Sequence, residues 1–230
     1  MSRERKRPRP SIKTRGVPSE VEGRKRSGEE RGEGPPRLIK RNELSLVVEI
    51  LRETAKLHEQ TASQAAAAAV VAVAKAMQLS FSRGGQVLVF GNGGSAADAQ
   101  HLAAELVGRF ARERRALPAV ALSADTSVLT SVANDYSYDK VFARQIEALG
   151  RRGDLAIGIS TSGQSPNVLA AIQTAKARGL RTVAFTGNDG GAVGKAAELH
   201  VNVPHAVTAR VQEVHRTLIH AVCELVEREL

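Results

Sequence analysis

The sequence predicts an α/β fold, a three-layer αβα domain built on a five-stranded parallel sheet and preceded by two helices used in oligomerisation. Three observations point there. Beyond Gly84-Gly85, short β-rich runs alternate with helical segments. The runs are almost continuously apolar, as strands covered on both faces are. The two loops richest in Gly, Ser and Thr each follow such a run and open a helix, where parallel sheets bind their ligands.

The first helix is expected from about Asn42, a good N-cap, with Leu44, Val47, Val48, Leu51 and Ala55 at helical spacing. A second, Ala-rich helix is expected over 63–82. Their small apolar surface suits a partner subunit as well as their own domain. The strands predicted are 86–90, 119–123, 155–160, 182–186 and 200–203. Helices are predicted at 96–110, 127–134, 139–149, 166–178 and 191–197, with a last one over 208–229.

Composition narrows the function classes. The chain is 42% hydrophobic but only 3% aromatic, with no Trp, so Ala, Val, Leu and Ile must build its core. A single cysteine, Cys223, excludes an internal disulfide framework and suits a cytoplasmic location. No apolar run approaches the ~18–20 residues of a membrane span; the most apolar stretch, 65–74, is mostly alanine and closes at Lys75. Residues 1–42 carry 14 of the 33 basic and 6 of the 24 acidic residues, so most of the net charge of +9 belongs to a tail, residues 1–41, and not to the domain over 42–230. Arg5-Lys6-Arg7 could attract phosphates. The tail has no aromatic residue to stack a base, however, and its composition favours a solvated, disordered extension over a nucleic-acid arm, which the basic cluster leaves open.

Gly91-Asn92-Gly93-Gly94-Ser95 follows the first strand. Its glycines let the backbone approach an anion, and the amides opening the next helix favour negative charge. It fits neither Walker A nor GxGxxG, and by itself is equally well a structural turn. Ser160-Thr161-Ser162-Gly163-Gln164-Ser165 follows the third strand, with Pro166 opening a helix. Four hydroxyls are more than an N-cap needs, and that surplus favours a phosphomonoester. Acid–base groups form a third cluster. His101 and Glu105 stand at i, i+4 on one helix, and Gln212, His215 and His220 fall within about two turns of another. Such a set could bind a divalent metal or act as base and proton shuttle. Taken singly, each is an ordinary solvated helix residue.

Read together, "VLVFGNGGSAADAQHLAAELVGRF", "TSVLTSVANDYSYDKVFARQIEALGRRGDLAIGISTSGQSPNVLAAI" and "TARVQEVHRTLIH" resemble the phosphoheptose isomerase family of the sugar isomerase (SIS) superfamily, over all but the tail. The resemblance implies an SIS-type domain, a homotetramer with active sites at subunit interfaces, and conversion of sedoheptulose 7-phosphate to D-glycero-D-manno-heptose 7-phosphate. It implies substrate binding by Asn92, Gly93, Gly94, Ser95, Asn134, Asp135, Ser160, Thr161, Ser162 and Ser165. It implies a zinc ion at His101, Glu105, Gln212 and His220, with Glu105 and Gln212 also touching substrate. Glu105 is then the base and His220 the proton shuttle. One departure is Thr208-Ala209 before Arg210, where some members of the family carry Asp. Three rival readings remain: a non-catalytic relative that binds the replication initiator, a sugar-phosphate sensor, and an isomerase of another sugar phosphate. The first two do not require Glu105 and His220.

Overall fold

The computed structural model describes residues 41–229. The compact unit begins at Arg41, and the expectations for the basic tail fall outside the described residues. Helix α1 (Arg41–Thr61) already includes Asn42, which is therefore not its N-cap. The polypeptide turns at Ala62-Ser63, and the Ser63 hydroxyl caps α2 (Gln64–Ser82) by accepting from the Ala66 amide. Then follow β1 (Val87–Gly91), α3 (Gly94–Val107), β2 (Ala119–Ala121), α4 (Thr126–Asp135) and α5 (Val141–Leu149). After these come β3 (Leu155–Ser160), α6 (Pro166–Ala177), β4 (Arg181–Gly187), α7 (Gly191–Ala196), β5 (Leu199–Val203) and α8 (Thr208–Arg228).

The strands pair in parallel in the order β2-β1-β3-β4-β5. The chain winds outward from β1 in one direction through β2, then crosses back to β3 and winds in the other. The loops leaving β1 and β3 therefore diverge over a crevice at the carboxyl edge of the sheet. Alternation along the strands builds two cores. Val87, Val89, Leu155, Ile157, Ile159, Val183 and Phe185 face α2, α3 and α8. Leu88, Phe90, Ala156 and Ala184 face the layer of α5, α6 and α7. At Gly158 a Cβ would press on Val168 and Ile172, so the missing side chain sets how closely α6 lies on β3.

Several boundaries differ from those the sequence predicts; β2 ends at Ala121 and not at 123, and three more differences bear on the site. Helix α3 starts at Gly94, two residues early, because Gly93 takes φ 54° and ψ −120°, a conformation that admits only glycine and turns the chain straight into the helix. It also ends at Val107, short of Phe110. The predicted 139–149 helix divides into a 3-10 turn, Tyr138–Lys140, and α5.

The expectation about apolar runs also needs correction. At 19 residues, α2 is long and apolar enough by length and composition to cross a membrane. Its residues Val70, Val73, Ala74, Ala76, Met77 and Phe81 are buried against the sheet and α8, so it is a core helix with an alanine-rich outer side. Helix α1 is held differently. Leu57 packs with Val203, Val211 and Val214, while Leu44, Leu46, Val47, Val48, Ile50 and Leu51 stay 36–63% exposed.

Candidate active site

The loops after β1 and β3 meet over the crevice. Asn92, Gly93, Gly94, Ser95, Ser160, Thr161 and Ser165 line a cavity of about 270 Å³, closed on one side by Thr208 and Gln212 from α8. Ser160 Oγ lies 2.8 Å from Ser165 Oγ and 3.4 Å from Ser162 Oγ. Ser165 occupies the N-cap position of α6 but makes no capping bond. The Ser160 and Ser165 hydroxyls thus bond each other at the wall of the cavity, and Ser165 does not cap the helix. Ser162 is exposed at the rim, where it accepts from the Gln164 amide at 3.2 Å.

Asn92 is braced from across the crevice. Its carboxamide exchanges two 2.9 Å hydrogen bonds with that of Asn167 and accepts a third, 3.1 Å, from the Tyr138 hydroxyl. Asn167 is buried and unnoticed in the sequence; its only signal is a polar residue directly after Pro166 at the mouth of a core helix. Tyr138 and Thr208 were likewise not predicted as site residues. Asn134 and Asp135, at the end of α4, bond to each other at 2.8 Å, are exposed, and do not line the cavity.

The acid–base cluster lies farther along the same helix. Helices α3 and α8 run side by side in the same direction, with Gly94 against Gln212, Asp98 against Arg216, His101 against His220 and Phe110 against Glu227. A Cβ at Gly94 would collide with the Gln212 carboxamide, so glycine there is what lets α8 close on the loop. His101 Nε2 and His220 Nε2 stand 2.7 Å apart, one ring donating to the other, and Glu105 Oε1 is 3.6 Å from His101 Nε2. The Phe110 ring packs on His220 with centroids 5.5 Å apart. His215 does not join them. It is fully buried, burial holds its pKa below the usual histidine value, and its Nε2 donates to the Thr186 carbonyl at 2.9 Å.

The fit to a metal can be tested on these atoms. Two imidazoles and a carboxylate are donors zinc accepts, and they converge. Two nitrogens on one tetrahedral zinc stand about 3.3 Å apart, so the histidine rings need only a small separation from their present hydrogen bond. Among the described residues no three His, Cys, Asp or Glu side chains already hold a metal-binding arrangement. The Gln212 carboxamide lies beside Gly94, two turns of α8 before His220. Three members of the set inferred from the resemblance come together, and the fourth stands at the glycine loop.

Buried charge frames the far end of this seam. The Glu227 carboxylate, 3% exposed, pairs with Arg114 at 3.1 Å and accepts from the amides of Phe110, Ala111 and Arg112 at 2.8–2.9 Å. Burial alone would raise its pKa. The three amides, with the Arg114 guanidinium, outweigh that and bring it down from 4.5 to about 2. The Cys223 thiol is pushed up to about 12, first by burial and then by the Glu105 and Glu227 carboxylates, so it is not a nucleophile.

The SIS domain family matches residues 50–187. The phosphoheptose isomerase of Roseiflexus sp. is 58% identical over 161 residues, which is 70% of this chain and 82% of that one. Among solved structures, the phosphoheptose isomerase of Neisseria gonorrhoeae superposes with a TM-score of 0.75 at 42% identity, covering 80% of this chain and 98% of its own. That of Francisella tularensis gives 0.77 at 34%, with the same coverage.

A carboxyl whose pKa folding depresses contributes stability above its unfolded value of 4.5 and loses it as pH falls toward 2. Above pH 4.5, Glu227→Gln is expected to be less stable than the unsubstituted protein by about 3 kcal/mol in urea unfolding. The gap should close toward pH 2. A gap that does not change with pH would show that the carboxylate's charge is not what the fold uses.

Proposed function

The chain belongs to the SIS domain family and, within it, to the phosphoheptose isomerases, and from that membership we propose that it converts sedoheptulose 7-phosphate to D-glycero-D-manno-heptose 7-phosphate. The observation that carries the reading is the meeting of Glu105, His101 and His220 on two helices whose other end borders a hydroxyl-lined cavity. A sensor or a partner-binding relative needs the cavity without the acid–base set.

The hydroxyls of Ser160, Thr161, Ser162 and Ser165, with the backbone amides around Gly93 and Gly94, hold the phosphate. Asn134 and Asp135 are assigned to the sugar. Glu105 takes a proton from C1; the electron pair of that bond forms the C1–C2 double bond, and the C2 carbonyl oxygen gains a proton. In the resulting enediol, the C1 hydroxyl then loses its proton to form the aldehyde while C2 receives one from Glu105. His220 carries the proton between the two oxygens, and His101, bonded to it, fixes its orientation. We assign a zinc ion to His101, Glu105 and His220, with Gln212 reaching it from the cavity of another subunit. Bound there, zinc would supply Lewis acidity toward the carbonyl oxygen.

Within one chain Glu105 stands eleven residues along α3 from Gly94, about 16 Å at 1.5 Å per residue. That distance supports a homotetramer in which the acid–base set of one subunit serves the cavity of another. The exposed apolar row on α1 supports it too, as does a groove of about 760 Å³ where α1 and α2 meet α8, lined by Ala66, Val70, Val71, Leu218 and Leu225. We place the enzyme in the cytoplasm, which suits both a phosphorylated substrate and the free thiol Cys223.

Three measurements check this. Purified protein should turn over sedoheptulose 7-phosphate, Glu105→Gln should lose activity by at least ~10²-fold, and Ser162→Ala with Ser165→Ala should chiefly raise KM. Full activity in Glu105→Gln would remove it as the base. Metal analysis of the protein as purified should return about one zinc per chain, and turnover by metal-free protein would remove zinc from the chemistry. Light scattering should give four chains per particle, reduced by Val47→Glu with Leu51→Glu; a monomer at working concentration would refute the tetramer.

A further inference from the structure

We propose that the buried pair Arg114–Glu227 is a positioning device for the acid–base residues, setting Glu105 through its backbone and His220 through the ring of Phe110. The inference rests on the roles just given to Glu105 and His220.

An α-helix leaves its last carbonyls without intrahelical donors. At the end of α3 one guanidinium takes those of Glu105 and Leu106, and with them that of Gly108 just beyond the helix. Arg114 Nη2 donates to the Glu105 carbonyl at 2.6 Å, and Nη1 donates to those of Leu106 at 2.9 Å and Gly108 at 3.2 Å. A further bond runs from Nη1 to the Arg115 carbonyl at 3.0 Å, and Nε donates to Glu227. The side chain is 8% exposed and all three nitrogens of its planar fork are engaged. The turn of α3 that carries Glu105 is thus fixed by a side chain.

Glu227 completes the link. It lies seven residues after His220, close to two turns, on the same side of α8. Its carboxylate holds the amides of Phe110, Ala111 and Arg112, and Phe110 in turn lies on the imidazole of His220. A buried ion pair is weak as a source of stability, because desolvation offsets most of its attraction. Capping a helix needs no carboxylate from another helix. This pair, however, ends at both members of the acid–base couple, and a displacement of about 1 Å there is worth about a hundredfold in rate.

The test uses the full-length protein and three substitutions: Arg114→Lys, Glu227→Gln and Phe110→Leu. The last leaves the ion pair intact, and so guards against variants that do not fold. Each folded variant should lose at least tenfold in kcat while KM stays within about twofold, because the hydroxyl cavity is untouched. The His220 ring resonance, identified by its loss in His220→Gln, should shift in Phe110→Leu and Glu227→Gln. Normal kcat and an unmoved His220 resonance in folded variants would overturn the proposal and leave the pair a cap alone. Failure of the isomerase reading looks different: the unsubstituted protein would not turn over substrate, yet the His220 resonance would still move.

Discussion

The parallel seam between α3 and α8 is the constraint from which the rest of the site follows, because it brings together residues some 120 positions apart in the chain. From Asp98–Arg216 through His101–His220 to Phe110–Glu227, the offset between partners stays at 117–119 residues. A constant offset over three turns means two helices nearly aligned and in phase, each presenting the same face to the other. Gly94 makes the approach possible at one end, where any side chain would meet Gln212. Phe110 and Arg114, held by Glu227, close the other end. The cavity lies at the first end of the seam, where the sheet reverses its winding, and the acid–base residues lie along it.

The sequence disclosed the sheet well because strands buried on both faces have no polar positions to confuse the pattern: 155–160 reads as LAIGIS and is β3 from its first residue to its last. The glycine and serine loops were legible for a related reason. They concentrate residue types that helices and strands avoid, at places the strand pattern had already marked. His101 and Glu105 were visible as an i, i+4 pair and His220 with Gln212 and His215 within about two turns of the last helix, and the family likeness gave them roles.

What stayed hidden depends on contacts between distant segments. Asn167 looks like an ordinary early helix residue until it is seen exchanging two bonds with Asn92. Arg109, Arg112, Arg114 and Arg115 share one charged stretch with Glu113, and nothing local says that the Arg114 side chain is the one 8% exposed. The start of α3 was misplaced because glycine in a loop normally argues against a helix. Here Gly93 supplies the one turn that lets the helix begin at once. Gln212 and His220, eight residues apart, were expected to act together. The helix places them on a common side but at opposite ends of a two-turn interval, and Gly94 draws Gln212 to the loop.

Energy and register have separate sources in this seam. Leu102, Leu106, Ile219, Val222 and Val226 are buried along it, and each is worth about 1.5–3 kcal/mol on removal from water. A helix slipped by one turn would keep much of that burial, since small and branched apolar residues recur on both faces. The polar pairs do not tolerate the slip. Asp98 is 2% exposed and holds Arg216 through one oxygen, its other oxygen having no partner among the described residues. Moving Arg216 away would leave that carboxylate buried and unpaired, at a cost of several kcal/mol, and Glu227 would be in the same position. Each charge contributes little to holding the helices together, yet each strongly penalises every wrong alignment. Two imidazoles 2.7 Å apart with a carboxylate beside them need one alignment and no other. The seam therefore carries the acid–base residues where the register is most tightly specified.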